Sequence, residues 1–311
     1  MTKVFIDGSS GTTGLQIRER LAARDDLTVL SLPEAQRKDP AARKDALNEA
    51  DVAFLCLPDA AAIEAAGFVE NPKTCVIDTS TTHRVDPAWT YGFAELGRKA
   101  EIAVSKRIAN PGCHATGFIS IVYPLRACGL LDAEALLSCF SLTGYSGGGK
   151  QMIADYETPE RDVLLSAPGI YGIGQTHKHL PEMTAICGLA KMPVFCPVVD
   201  DYYKGMATTV PLHAELLRGA PGPEAVREAL ADFYAGQPLI RVADEAETAA
   251  LGKLYGNAMT GRDSLKLVVA GNAERITVTA LFDNLGKGAS GAAIQNMNIA
   301  LGLDPVAGLV L

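Results

Sequence analysis

Asn110-Pro111-Gly112 is turn chemistry, and Cys113 follows it where an apolar helix, His114-Ala115-Thr116-Gly117-Phe118-Ile119, begins. A thiol at a helix N-terminus is biased toward thiolate by the dipole, and the thiolate is the nucleophile. Cys113 is therefore the candidate nucleophile. The other cysteines, at 56, 75, 128, 139, 187 and 196, sit in apolar elements and read as small packed residues. Seven is an odd count, the spacings are wide and there is no C-x-x-C, so reduced thiols are expected, not a disulfide framework.

Two of the five histidines fall in His177-Lys178-His179-Leu180-Pro181-Glu182. Histidines at i and i+2 can share a metal, but no third ligand stands nearby, and no metal is expected. The alternative is a general base, titrating near neutral pH and oriented by a carboxylate such as Glu182. The spacing leaves open which of His177 and His179 it is. His114 and His213 have no supporting context and read as ordinary packed histidines. Arg84 closes Asp78-Thr79-Ser80-Thr81-Thr82-His83-Arg84, just past a strand, where a guanidinium can grip a carboxylate or phosphate with two donors.

Thr143-Gly144-Tyr145-Ser146-Gly147-Gly148-Gly149-Lys150-Gln151 has three readings. G-x-S-x-G would make Ser146 the nucleophile of a hydrolase. G-x-x-x-x-G-K suggests a P-loop, but Gln151 stands where Mg²⁺ needs a hydroxyl. The third reading, which we favour, is a loop of bare amides in which Ser146, Gly147 and Lys150 hold a substrate anion.

A further glycine turn lies at Gly8-Ser9-Ser10-Gly11-Thr12-Thr13-Gly14, between the apolar strand Val4–Ile6 and a helix. Glycines let backbone approach a pyrophosphate, the helix N-terminus offers free N–H groups, and the four hydroxyls add donors. The next strand ends Ser31-Leu32-Pro33-Glu34. Glu34 would suit a ribose 2′-hydroxyl, but Ser31, Arg37 and Lys38 suit a 2′-phosphate better, so NADP is the expected cofactor.

The elements that must carry these residues follow from periodicity. Val4–Ile6, Thr28–Leu32, Val52–Leu57 and Cys75–Asp78 are short apolar strands alternating with helices over 14–23, 40–50 and 60–69. This βαβ rhythm predicts a doubly wound parallel sheet. Later segments, 136–143, 194–199, 203–211, 266–271 and 275–282, read as longer strands, several half polar, with helices over 113–128, 223–235 and 291–303. The fold class is thus α/β, with a Rossmann sheet and an α+β domain built on a mainly antiparallel or mixed sheet. No low-complexity linker intervenes, which favours packed over tethered domains.

Composition narrows the partners. Lys and Arg number 28 against 36 Asp and Glu, and no basic run exceeds two residues, which argues against nucleic acid. No apolar stretch approaches the ~20 residues of a membrane span. The first residues run straight into a strand, so no signal peptide and a cytoplasmic location are expected.

Together the segments resemble the N-acetyl-γ-glutamyl-phosphate reductase family in its short bacterial form. They are GSSGTTG at 8–14, FLCLPD at 54–59, DTSTTHR at 78–84, NPGC at 110–113, TGYSGGGK at 143–150, HKHLPE at 177–182 and DNLGKGASGAAIQNMN at 283–298. Aspartate-semialdehyde dehydrogenases share the plan, but HKHLPE looks more like the acetylglutamyl enzymes. The resemblance implies NADPH-dependent reduction of an acyl phosphate through a cysteine thioester, with Cys113 as nucleophile, His179 favoured as base and His177 second. It implies that Asn284, Lys287 and Gly288 approach the nicotinamide half, and that Arg84, Ser146, Gly147, Lys150 and Glu182 serve the substrate. It also implies a cofactor domain of 1–112 with 286–311, a catalytic domain of 113–285, and a homo-oligomer formed through the second sheet. Where the family has Pro-Glu-Leu after Tyr-Gly, this chain has Ala94 for the proline.

Overall fold

The computed structural model describes residues 1–311, which divide into two compact units. Unit 1 is Met1–Pro111 with Ala289–Leu309, and unit 2 is Gly112–Gly288 with Val310–Leu311. Three stretches expected in the first domain therefore belong to the second, and local hydrogen bonds explain each. The Gly112 N–H donates to Glu182. The N–H groups of Gly286 and Gly288 return to the Asp283 carbonyl. Asp263 pairs with the Val310 main chain in both directions.

In unit 1, β1 (Thr2–Asp7), β2 (Leu27–Leu30), β3 (Val52–Leu55), β4 (Cys75–Asp78), β5 (Thr90–Tyr91) and β6 (Arg107–Ala109) form one parallel sheet in the order β2-β1-β3-β4-β6-β5. Successive residues of a strand face opposite sides, so an all-apolar strand needs cover on both. Val4 and Ile6 face α1 (Thr12–Ala22) and the C-terminal helix Gly291–Ala300, through Ile17, Leu21, Ile294 and Met297. Phe5, Ala53 and Leu55 face α2 (Pro40–Glu49) and α3 (Asp59–Gly67). A short α4 (Lys99–Val104) adds Ile102 to the first face. Edge strand β5 and its neighbour β6, of two and three residues, are too short to show a period in the sequence.

Unit 2 centres on α5 (Cys113–Ala127), α6 (Gly149–Glu157), α7 (Leu180–Cys187) and α8 (Pro223–Phe233). Its strands are β7 (Ser138–Gly144), β8 (Gly169–Ile170), β9 (Val194–Asp200), β10 (Met206–His213), β11 (Ile240–Val242), β12 (Leu265–Gly271) and β13 (Arg275–Phe282). They make a mixed sheet in the order β11-β12-β13-β10-β7-β9-β8. The strand expected over 203–211 starts later, at Met206, because Gly205 sits at φ +125° and the chain is still turning there.

Helix α5 lies on β10 and β13 at very short range. A Cβ on Gly117 would stand 2.4 Å from Thr208 Oγ1, so only glycine lets this helix settle where it does. Pro124 sits inside the same helix and cannot donate to the Ser120 carbonyl. The Tyr234 hydroxyl supplies that bond at 2.9 Å. On the opposite sheet face Phe140 and Val194 are 50% and 57% exposed.

Candidate functional site

Each unit carries some of the candidate residues. In unit 1, Gly8 takes φ +86°, and a Cβ there would meet the Cys56 carbonyl oxygen at 2.2 Å. A Cβ on Gly14 would stand 2.4 Å from the Gly8 oxygen. These two glycines let the turn after β1 fold flat against the sheet, and Gly11 N–H closes it onto the Gly8 oxygen at 3.0 Å. Gly11 caps α1 with no side-chain acceptor, so the first-turn amides stay open to a ligand. Behind Thr13 in the chain, Thr12 Oγ1 is buried without a partner.

A cavity of about 670 Å³ opens beside this turn. Gly8, Ser9 and Ser10 form one wall, and Ser31, Arg37 and Lys38 another. Glu34 also lines it, and so does Arg18, which sequence reasoning missed because α1 gave it no motif. Arg43 lies there too, but its charge is spent on Asp7 and Glu64 at 3.0 and 2.9 Å. Arg18, Arg37 and Lys38 form no ion pair and leave the wall cationic. The orphaned hydroxyl, the open amides and the cationic wall fit a dinucleotide bearing an extra phosphate.

Arg84, also in unit 1, is buried, with Nε on the Asn110 carbonyl and Nη2 on the Thr79 carbonyl, both at 3.0 Å. Much of its fork thus ties two turns together. Nearby, His83 bonds Asp78 at 2.7 Å and stacks on Trp89.

In unit 2, Cys113 is the first residue of a 15-residue helix whose N-cap, Gly112, brings no side-chain acceptor. The half-buried thiol therefore meets the positive end of α5. Glu182 accepts the Gly112 N–H at 2.9 Å and so anchors the backbone that presents the thiol. Sequence reasoning had assigned this carboxylate to orienting a histidine or meeting substrate. Gly288 packs closely here: a Cβ on it would stand 3.1 Å from Cys113 Cβ, so the first turn of α5 would have to give by a few tenths of an ångström.

His177 and His179 lie with ring centroids 4.9 Å apart, and His179 caps α7. His177 Nδ1 accepts the His179 N–H at 3.2 Å, and burial lowers its pKa to about 4. The segment is clamped from behind by Gln175, a non-glycine residue at φ 55°. Its amide pairs with the Phe195 main chain at 2.8 and 2.9 Å, as a neighbouring strand would. His114, read as a packed histidine, is buried among these groups. Its ring lies 5.6 Å from His177 and 5.7 Å from His179. Tyr171, with no sequence signal beyond a Tyr-Gly turn, bonds His114 at 2.6 Å; burial and then the Cys113 thiol push its hydroxyl pKa up.

The glycine loop differs from expectation. The amides of Gly144, Tyr145 and Ser146 already bond the carbonyls of Gly205, Tyr202 and Tyr203. Only the later part, with exposed Gly147 and Lys150, presents groups to solvent. Ser146 is 1% exposed, and its hydroxyl accepts from Asn284 Nδ2 at 3.0 Å while Asn284 Oδ1 accepts the Gly205 N–H. A hydrolase nucleophile needs an exposed hydroxyl beside a base, so the Ser146 hydrolase reading fails. Asn284 likewise spends both ends of its amide on this loop. Lys287 is buried in the π-helical turn Gly286–Ser290, a kind of turn often found at functional sites. No group of three or more His, Cys, Asp or Glu is arranged to hold a metal ion, and no helix is long and apolar enough to cross a membrane.

Comparison with known proteins agrees in both units. The model for the semialdehyde dehydrogenase NAD binding domain matches residues 31–103, and that for the semialdehyde dehydrogenase dimerisation domain matches residues 113–284. The chain is 48% identical over 306 residues to the N-acetyl-gamma-glutamyl-phosphate reductase of Brucella anthropi, covering 96% of this chain and 98% of that one. It is 47% identical over 305 residues to the enzyme of that name from Rhizobium johnstonii, with the same coverage. Among solved structures, aspartate semialdehyde dehydrogenase II of Vibrio cholerae complexed with ASA superposes with a TM-score of 0.72 at 18% identity, over 97% of this chain and 98% of that one. The Candida albicans aspartate semialdehyde dehydrogenase with NADP gives 0.66 at 15%, over 97% and 99%. At such identities these structures attest to the fold alone.

Proposed function

The chain belongs to the N-acetyl-gamma-glutamyl-phosphate reductase family, and from that premise we propose how its residues divide the work of reducing N-acetyl-γ-glutamyl phosphate to N-acetylglutamate 5-semialdehyde. The observation that carries the chemistry is Cys113, a half-buried thiol on the first turn of α5 with its backbone anchored by Glu182. Its thiolate attacks the acyl carbon; a C–S bond forms, the C–O bond to phosphate breaks, and phosphate leaves. NADPH, when bound in the cradle of Gly8–Gly14 with Ser31, Arg37 and Lys38 at its 2′-phosphate, supplies the hydride. The thioester carbon becomes a thiohemiacetal, whose oxyanion expels the thiolate and frees the aldehyde. Splitting one difficult displacement into two is the gain of covalent catalysis.

His179 takes the thiol proton and gives it back on collapse, with His177 beside it. Such proton transfer typically contributes about 10²–10⁴-fold. A base works best with a pKa near the working pH, and His177, held down at about 4, lies far from it. Lys150 and Gly147 receive the phosphate or the α-carboxylate, with Ser146 and Asn284 holding that loop in shape. Arg84 fixes the turns of unit 1. Lys287 and Gly288 shape the nicotinamide side of the thiol. The exposed sheet face around Phe140 and Val194 pairs two copies of the chain, in keeping with the dimerisation-domain description of the matching family model. The enzyme works in the cytoplasm.

Phosphate-dependent reduction of NADP⁺ tests the reading in the reverse direction. Turnover is expected with N-acetylglutamate 5-semialdehyde and not with aspartate semialdehyde, and iodoacetamide abolishes it. Turnover on aspartate semialdehyde instead would keep the thiol chemistry and replace the substrate.

A further inference from the structure

His114 follows the nucleophile directly, yet the reaction described above gives it nothing to do. It is 3% exposed and sits in an unbroken hydrogen-bonded line. Thr208 Oγ1 lies 2.8 Å from Ser141 Oγ, Ser141 Oγ lies 2.7 Å from His114 Nδ1, and His114 Nε2 lies 2.6 Å from the Tyr171 hydroxyl. Its ring also meets His177, His179 and Phe195 at centroid distances of 5.6, 5.7 and 5.3 Å. A packed histidine needs partners for two nitrogens. This one joins β10, β7, α5 and the 171–179 segment at the point where both candidate bases stand.

The surroundings bear on its charge. The titratable groups facing it are Cys113 on its own helix and Tyr171, His177, Lys178 and His179 on the segment above. Ser141 and Thr208 below, and Phe195 beside them, carry no charge. No carboxylate is hydrogen-bonded to the ring, and burial, then His177 and Lys178, hold its pKa at about 3. A neutral imidazole has one N–H, so one partner donates to it and the other accepts. If the line runs Thr208 to Ser141 to Nδ1, then Nε2–H donates to the Tyr171 oxygen. Tyr171 then keeps its own O–H to donate outward.

We propose that His114 is a positioning residue that acts through Tyr171: neutral throughout turnover, it fixes the Tyr171 hydroxyl, and with it the segment bearing His177 and His179, beside the nucleophile. The proposal deepens the reductase reading and rests on it for its kinetic test, but not for its spectroscopic one.

The test compares wild type, His114→Phe, Tyr171→Phe and the double variant in the NADP⁺-reduction assay. The phenyl ring keeps the wedge and removes both hydrogen bonds. Each single variant is expected to lose roughly 10-fold or more in kcat with KM nearly unchanged, since small misplacements of catalytic groups cost that much. The double variant is expected to be no worse than the poorer single one, because residues acting as one unit are not additive. Losses that multiply would overturn the proposal. So would a missing limb in the pH profile of His114→Phe, which would make His114 itself the proton carrier. The second measurement uses the wild-type chain and no substrate. Long-range ¹H–¹⁵N spectra follow its five imidazoles between about pH 5 and 8. The resonances absent from His114→Gln must stay in one neutral tautomer across that range, and titration there would overturn the proposal. That holds whether or not the enzyme turns over the acetylated substrate, and it serves equally if His114→Phe does not fold.

Discussion

The thiol of Cys113 is distinguished from its chemical equals by position. Cys139 and Cys187 are buried and Cys56 half-buried, and desolvation pushes the pKa values of all three up, that of Cys56 to about 12. A thiol in that state is a packed apolar group and a poor nucleophile. Cys113 is half-buried at the start of α5, so alkylation should find it readily. Exposed Cys128 lies at the negative end of the same helix, where a thiolate is disfavoured. Among the histidines, His177 is held down to about 4 by burial, and His179 is the proposed base. His179→Asn should flatten the pH–rate profile more than His177→Asn does; the reverse order in steady-state kinetics moves the base to His177. At the cofactor, Arg37 and Lys38 line the cavity without carboxylate partners, and a 2′-phosphate is what would engage them. Arg37→Ala is expected to weaken NADP binding by roughly 1.5–3 kcal/mol, the worth of one charge-assisted hydrogen bond, and to leave NAD binding alone. Equal losses for both dinucleotides in a fluorescence titration would contradict that assignment.

At the scale of elements, α5 positions the proposed nucleophile, and Gly117 decides where α5 lies. Gly117→Ala must push the helix from Thr208, which stands 2.4 Å from the added carbon. Such overpacking typically costs about 1–3 kcal/mol, measurable by urea unfolding. Because the same shift moves Cys113, kcat should fall with little change in KM for the acyl phosphate. Unchanged kcat would mean that the thiol does not depend on the seat of its helix. Much of this level was legible before the fold was known. The apolar strands β1, β3 and β4 and the helix after Cys113 declare themselves by period and turn chemistry. What was hidden has common physical causes. Strands β5, β6 and β8 are two or three residues long and owe their existence to neighbouring strands. Gln175 imitates a strand with its side chain, and Glu182 and Tyr171 find their partners only through tertiary contact. The three spent amides of the glycine loop could not be foreseen, since Tyr202, Tyr203 and Gly205 approach from a distant turn.

At the scale of the molecule, the proposed labour divides between the two units: the parallel sheet carries the proposed dinucleotide cradle, and the unit of the mixed sheet carries the thiol and the histidines. The sheet face away from α5 is covered over β10, β12 and β13 by Leu251, Leu254 and Met259, and its apolar side chains are exposed over β7 and β9. Phe140 and Val194 lie on adjacent strands of that face, and Ile170 beyond them is 62% exposed. Isolated exposed apolar side chains are ordinary, whereas a contiguous group of them marks an interaction surface. Phe140→Asp is expected to halve the particle mass in light scattering while leaving the far-ultraviolet dichroism unchanged. A monomeric wild type would remove the pairing assignment.

The central claim is that Cys113 carries the acyl group, and it can be read without reduction. The enzyme is mixed with N-acetyl-γ-glutamyl phosphate in the absence of NADPH, then quenched, digested and weighed. One phosphate released per site, with the acyl mass on the peptide containing Cys113 and none on Cys113→Ser, is the predicted result. No burst of phosphate, or an acyl group on any other residue, would contradict the account.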